Sequence, residues 1–367
     1  MIKIAVVHFM PLEYYPPTTN FLNIISSKEE IDTRVWTTHN NKNRATFINK
    51  NINRINRVTL PSANEFKILR LFRYVFFNLN CLVGLILTKP DKIIYYESFS
   101  AGPVYLYLKF FAKTTKLIIH FHEYFSPSWY KTGMQVVSLY HKWENKYLFK
   151  RAAWISQTNE DRISLFLKDN PNLESKRLFL LPNYPPENWI SSNQQTEIKL
   201  PLKTVYIGTL SLDYSYIKEY CLWVRMMNGK VIFHIYGYNY NEETLDYLKS
   251  LHSPFIKFYE GGIDYYDVPT TLRNYDFGLI LYKAITDNYK YNESNKLFEY
   301  LVCNLRVLYS DKMLGIRNYN AQSVKAIDFD NLQNLKIDEL ISMKGIENQS
   351  NYTNEKATKE LIDILIK

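Results

Sequence analysis

What most constrains this chain is an alternation. Short apolar runs are each followed by a stretch of helical spacing, and the pattern passes twice along the sequence. The first series of runs lies at residues 2–9, 33–38, 57–60, 92–96, 117–121 and 154–158, with helical stretches at 66–88, 103–113 and 136–150. The second lies at 204–207, 231–236, 256–259, 277–281, 306–309 and 323–327, with helical stretches at 216–227, 242–251, 268–273 and 296–302. Apolar strands spaced by helices read as parallel βαβ units. Between the series stands Leu180-Leu-Pro-Asn-Tyr-Pro-Pro186, followed by a polar stretch at 191–196. Its prolines can continue neither a helix nor a central strand, so it reads as a hinge. The expectation is an α/β protein of two doubly wound, Rossmann-like parallel-sheet domains, residues 1–190 and 191–352. They would face a cleft lined by the C-terminal ends of both strand sets. Residues 353–367 read as a closing helix expected to pack back on the first domain.

Length permits this, since 367 residues are many for one core and comfortable for two. The 31 tyrosines accompany abundant Asn, Lys and Ile, a compositional bias given no functional weight. Cys81, Cys221 and Cys303 are far apart and form no CxxC pair. That speaks against a disulfide framework or a zinc site and fits a reducing cytoplasm. The first residues enter a strand pattern directly, without the apolar stretch of a signal peptide. The most apolar stretch, 74–88, is uncharged but only fifteen residues long. Crossing a bilayer takes roughly 20, so it reads as a buried helix.

Charge is uneven. Residues 1–190 hold 25 Lys/Arg against 14 Asp/Glu, a net of +11, while the rest nets −2. Arg34, Lys42, Arg44, Lys50, Arg54, Arg57, Lys67, Arg70 and Arg73 crowd one segment, opposed by Glu65 alone. Such a segment is either a solvated surface or a face for anionic lipid or an anionic acceptor. No nucleic-acid recognition motif accompanies it, so nucleic acid is not an expected partner.

Two segments carry candidate chemistry. In Tyr291-Asn-Glu-Ser-Asn-Lys-Leu-Phe-Glu-Tyr300, Ser294 reads as the N-cap of a helix beginning near Asn295. A helix start offers backbone N–H groups and a positive dipole end, which suit a pyrophosphate, and Lys296 adds a full charge. Glu299 lies about one turn further in, where a carboxylate can accept from two ribose hydroxyls. The same spacing also fits a capped helix with a surface Lys–Glu pair. In Ile118-Ile-His-Phe-His-Glu-Tyr-Phe-Ser-Pro127, alternation places His120 and His122 on one side of a strand end, with Glu123 at the loop start. No third metal ligand of matching pattern is visible, so no metal is expected.

The order of segments adds to this. Tyr206-Ile-Gly-Thr-Leu210, Ile235-Tyr-Gly237, Gly261-Gly-Ile-Asp-Tyr-Tyr-Asp-Val-Pro-Thr270, Tyr275-Asp-Phe-Gly-Leu-Ile280, the 295–300 hexapeptide and Val307-Leu-Tyr-Ser-Asp311 follow one another. Together they resemble the nucleotide-binding half of bacterial GT-B glycosyltransferases, especially glycosyltransferase family four. The resemblance implies that Glu299 holds the ribose and that Lys296, Ser294 and Asn295 face the phosphates. It also implies that Gly208 and Thr209 form the opening loop and that Tyr238 and Ile263 lie near the base. The family's glutamate pair is separated by seven residues, whereas Glu293 and Glu299 are separated by five. Lys218 is the nearest candidate for the family's loop cation. In the first half the resemblance implies that His122 or Glu123 acts as the general base or orients the donor sugar, with His120 beside them. It also sets the 10–20 loop against the acceptor, with Pro16-Pro-Thr-Thr19 where the family carries paired glycines. Arg162, in the turn after the sixth run, is as readily structural as functional.

The expected activity is therefore transfer of a sugar from a nucleotide-sugar to a glycan or lipid-linked saccharide, as in surface polysaccharide assembly. The expected place is the cytoplasm, peripheral on a membrane, with no cofactor beyond the donor. A GT-B nucleotide-sugar epimerase and a non-catalytic sugar-binding or scaffold member are the alternatives. A dinucleotide oxidoreductase would need GxGxxG after the first strand, where Phe9-Met-Pro-Leu-Glu-Tyr-Tyr15 stands instead.

Overall fold

The computed structural model describes residues 1–40, 45–62, 64–191, 197–346 and 348–367. The chain divides into two compact units, Met1–Pro182 with Ala357–Lys367, and Asn183–Lys356. In the first unit, β1 (Ile2–His8), β2 (Ile31–His39), β3 (Arg54–Thr59), β4 (Lys92–Tyr96), β5 (Lys116–Phe121), β6 (Ala152–Gln157) and β7 (Leu178–Leu180) form one sheet. Its order is β3-β2-β1-β4-β5-β6-β7, and the pairs are parallel. In the second unit, β8 (Leu202–Thr209), β9 (Val231–Tyr238), β10 (Ile256–Glu260), β11 (Phe277–Ile280), β12 (Arg306–Ser310) and β13 (Val324–Ile327) are ordered β10-β9-β8-β11-β12-β13, again parallel. These are two Rossmann-like domains.

Strand order reverses between β1 and β4 in one sheet and between β8 and β11 in the other. At such a reversal the connections leave in opposite directions and open a crevice beyond the C-terminal strand ends. The central strands are buried on both faces, β4 and β11 along their whole lengths, which is why they read as continuous apolar runs. β7 escaped the sequence reading because it is a three-residue edge strand, half-exposed and leading into the prolines.

The segment after Pro182 belongs to the second unit. Trp189 is buried in that core, Ser191 N–H donates to the Val302 carbonyl, and Asn354 N–H donates to the Pro185 carbonyl. Most of the polar stretch expected as structureless, 192–196, lies outside the described residues, as do Lys42 and Arg44 of the basic segment. At the other end of the chain, Leu361, Ile362 and Leu365 enter the core of the first unit with Ile4, Val6 and Ile94.

Two expectations need correcting. The 10–20 segment is not a loop throughout. After a 3-10 turn at Leu12–Tyr14, helix α1 runs Pro16–Ser26, and its first-turn prolines give up N–H groups that a helix start leaves unpaired anyway. The second correction concerns α2 (Lys67–Thr88), expected to be buried. Only Tyr74, Phe77, Cys81 and Leu85 are buried, a single stripe at i, i+3, i+7 and i+11. The opposite face is exposed although it is just as apolar. The buried stripe packs on α3 (Ala101–Phe110) and meets α4 (Gln135–Trp143) through Tyr140, which stacks on Tyr74 and donates to Asn78.

Candidate functional site

Each unit gathers its candidate residues at the C-terminal edge of its own sheet. In the second unit, helix α5 (Asn295–Val302) begins where the sequence places it. Ser294 stands at the N-cap position, but at φ 60° its side chain makes no capping hydrogen bond. The helix is fixed from inside instead. The Tyr300 hydroxyl lies 3.4 Å from both the Ile207 amide and the Leu279 carbonyl, and the ring covers Gly278, where a Cβ would meet it at 2.2 Å. This ties α5 to β8 and β11, the two strands that flank the reversal.

Lys296 therefore points across the crevice. Its Nζ donates to the Tyr282 hydroxyl at 2.8 Å and lies over the rings of Tyr282 and Tyr206. It passes so close to Gly208 that a Cβ there would fall 2.7 Å from its Cε. Burial alone would pull the ammonium down, but the oxygens of Tyr282, Tyr206 and Tyr238 raise it further, so the charge is kept. Glu299 stands one turn behind. Desolvation lifts its carboxyl from 4.5 to about 7, opposed by Lys296. A cation and a helix start thus share one crevice, with a carboxylate one turn behind and within electrostatic reach of the cation.

The other residues expected here are placed as follows. Tyr238, at the end of β9, packs on Gly262 and belongs to the phenol group around Lys296. Thr209 is exposed, and its carbonyl takes the Tyr206 hydroxyl at 2.6 Å. Ile263 is half-buried against the second core. Glu293 faces another way, toward Tyr319 and Tyr184. Lys218 is exposed on the helix Ile217–Met226 with its ammonium over the Tyr247 ring, and no described contact joins it to Lys296. Sequence reasoning missed Tyr206 and Tyr282, which line the Lys296 channel. Their signal was position, at or near the ends of the two strands that flank the reversal.

In the first unit the histidines form a chain of hydrogen bonds whose directions follow from the terminal partner. Ser156 Oγ–H donates to the Ile119 carbonyl, so Ser156 Oγ accepts from His120 Nδ1 at 2.9 Å. His120 Nε2 then accepts from His122 Nδ1 at 3.2 Å, and His122 Nε2 accepts from Thr18 Oγ1 at 2.9 Å. Thr18 also hydrogen-bonds with the Tyr96 hydroxyl. Burial, with His8 and Arg162 nearby, depresses His120 to about 3, so it remains neutral. Glu123 pairs with Arg162 at 2.9 Å, and the buried Arg162 also donates to the His122 carbonyl and to Thr158 Oγ1. Arg162 thereby fixes the loop that carries both candidates.

Two neighbours went unread in the sequence. His8 ends β1, its Nδ1 donates to the Met10 carbonyl at 2.6 Å, and its buried Nε2 makes no hydrogen bond among the described residues. Desolvation, the leading cause, lowers it to about 4. Its ring lies 6.0 Å from that of His122. Glu97 follows β4 at φ 60°, and its Oε1 accepts the amides of His122 and Glu123 at 2.7 and 3.1 Å. Burial, and then Glu123, drive its carboxyl well above the usual range, while Oε2 has no hydrogen-bond partner among the described residues. Both are polar groups at the end of an apolar strand, the same signal that exposed His120 and Glu123.

Against known proteins, no family model and no curated sequence matches this chain. Solved structures do match, over essentially whole chains. Anabaena HepE in complex with UDP and glucose aligns at TM-score 0.65 and 10% identity, covering 100% of both chains. The lipopolysaccharide outer core galactosyltransferase WaaB aligns at 0.61 and 13%, covering 100% of this chain and 99% of that one. The fold is GT-B. The Neisseria meningitidis UDP-GlcNAc 2-epimerase bound to UDP-GlcNAc also aligns, at 0.60 and 13% with 100% of both chains covered. GT-B proteins of both reaction types therefore share this architecture, so the fold alone assigns no activity.

Proposed function

We propose that this GT-B protein is a glycosyltransferase that takes a nucleotide-sugar, with a uridine diphosphate as the first carrier to test, and passes the sugar to a saccharide acceptor. The observation that carries the reading is the Lys296–Glu299 pair on α5, held by Tyr300 across the β8/β11 reversal. The donor's pyrophosphate would meet the amides of the first turn of α5 and the Lys296 ammonium. The ribose hydroxyls would donate to Glu299. Two of the neighbours named above, HepE and the Neisseria epimerase, hold UDP and UDP-GlcNAc in the same fold, which supports a nucleotide-sugar as ligand.

In the first unit the reading gives His8 the free lone pair. The Nε2 of His122 is already engaged by Thr18, so His122 takes a proton only after Thr18 turns away. His8 Nε2 is ready as it stands. Glu97, protonated, would hold the 122–123 backbone in register. A second reading, epimerisation of the nucleotide-sugar, is favoured by two groups at the ends of neighbouring strands, the buried, proton-bearing carboxyl of Glu97 after β4 and the unpartnered Nε2 of His8 on β1, an acid and a base.

Calorimetry with UDP and product analysis with UDP-sugars test this together. Glu299→Ala should weaken UDP by about ten- to a hundredfold, the loss of a charge-assisted hydrogen bond worth roughly 1.5–3 kcal/mol. Unchanged UDP affinity in that variant would sink the assignment. Release of UDP that rises with added acceptor supports transfer. A new sugar isomer formed without acceptor supports the second reading, and a chain that binds UDP but does neither is a sugar-binding member.

A further inference from the structure

The exposed face of α2 is the largest feature that the nucleotide reading leaves unused. Ile68, Phe72, Phe76, Leu79, Val83 and Leu87 stand along it at helical spacing, and Leu87 is 76% exposed. The helix of 22 residues is about 33 Å long at 1.5 Å per residue. Between Arg73 and Lys89 it carries no charged side chain. Its length and composition would suffice to cross a membrane, but its connections forbid that. β3 precedes it and β4 follows it in the same sheet, and its Tyr74 stripe is packed in the core of the first unit. It can only lie flat.

Charge brackets this apolar face. Lys67 and Arg70 stand in the first turn, Arg73 behind them is paired with Glu65, and Lys89 follows the last turn. Beside the C-terminal end is a cavity of about 550 Å³ whose lining includes Lys89, Lys92, Lys113, Lys116 and Lys367 against the single acid Asp91. Phe110 and Phe111, at the end of α3, stand exposed by it. An apolar face with lysines at its ends matches the acyl boundary and phosphate layer of an anionic bilayer. A protein partner would find almost nothing to hydrogen-bond. Of the two asparagines within the helix, Asn78 is taken up by the Tyr74 carbonyl and Tyr140, whereas interfaces average about one hydrogen bond per 100–200 Å². A second copy would also set one half of net charge +11 against another.

We infer that α2 is an in-plane membrane-docking helix, its outer face in the acyl boundary of an anionic bilayer and the lysines at its ends on lipid phosphates. This stands apart from the nucleotide assignment and does not depend on it. It also narrows the expected membrane face, because three of the seven described basic residues of the 33–73 segment are otherwise engaged. Arg34, Arg57 and Arg73 pair with Asp32, Glu13 and Glu65.

Co-sedimentation of the full chain with vesicles tests it. Equimolar phosphatidylglycerol and phosphatidylcholine should bind the protein, and phosphatidylcholine alone should bind it at least about tenfold less, given about fivefold per surface lysine. Phe72→Glu with Leu79→Glu changes only exposed side chains. It should lower binding to the anionic vesicles by at least about tenfold while the thermal unfolding midpoint stays within a degree or two. Lys89→Glu with Lys113→Glu should abolish the preference for anionic lipid. Binding that ignores the Phe72/Leu79 pair, or absence of vesicle binding by the wild type, overturns the inference. So does a concentration-dependent dimer that the same pair dissolves, which would assign the face to a second copy.

Discussion

Glu299→Gln sets two properties of one carboxyl against each other. In the folded chain the group ionises near pH 7 instead of 4.5 because burial opposes its charge, with Lys296 offsetting part of that. Below pH 4.5 it is protonated whether the chain is folded or not, and stability is unaffected. Between 4.5 and 7 the unfolded chain ionises first, so stability falls as pH rises, and above 7 the full loss is present. A shift of this size converts to an upper limit of about 3 kcal/mol, which halves to about 1.5 because the side chain is only half-buried and partly solvated. The neutral isostere escapes the loss. At pH 8, Glu299→Gln should therefore unfold about 3–6 °C higher than the wild type, at 2–4 °C per kcal/mol for a unit of this size. At pH 4.5 the two should coincide. The same variant should bind UDP about fivefold more weakly, since a neutral acceptor replaces a charged one. Differential scanning fluorimetry at both pH values, with calorimetry at pH 8, measures both effects. A midpoint gap that is equal at the two pH values, or UDP affinity that does not change, refutes the reasoning.

Gly208→Ala places a methyl 2.7 Å from Lys296 Cε at a residue whose φ is +145°. Lys296 must swing aside, and UDP affinity should drop about tenfold, read by calorimetry against a Gly261→Ala control at another positive-φ glycine, whose added methyl meets nothing. His8 and His120, lowered to about 4 and about 3, are neutral in the fold while their unfolded counterparts take up protons near 6.5. The sign is the reverse of the glutamate's, so stability is lost as pH falls from 6.5 toward 4. The slope should approach about 2.7 kcal/mol per pH unit for two protons, visible in urea titrations across that range. His8→Phe should cut transfer by about 10²–10⁴ and leave UDP binding intact. Normal turnover in that variant would return the role to His122 or Glu123.

Strand alternation made both sheets legible, because apolar β4 and β11 leave no other reading for residues between two helical stretches. The α5 start was equally legible, since Asn295 through Tyr300 carry cap position, charge and spacing together. What failed did so for identifiable physical reasons. Helix α2 is apolar on all sides, and periodicity cannot tell a helix surrounded by protein from one with a single stripe against it. Tyr206 and Tyr282 were lost in the compositional bias toward tyrosine. Yet a phenol in a cation's channel is chosen by place and not by abundance. His8 and Glu97 were hidden by their own strands, where one polar residue at the end looks like the edge of the run. Only the order of the strands shows that their ends converge on one crevice.

The path of the chain has a consequence for how the protein is made. The helix α6 (Lys359–Ile366) is locked to the first unit by Lys92, whose Nζ donates to the Ile364 and Leu365 carbonyls at 3.0 and 2.6 Å. The first unit thus begins at Met1 but takes its last core residue, Leu365, only after all of the second has been synthesised. During translation the second unit has its full sequence before the first does. A chain ending at residue 356 would hold every strand of the C-terminal sheet, whereas the N-terminal unit would still expose the bed of Ile4, Val6 and Ile94. Chaperones would have their main client in the half that was made first.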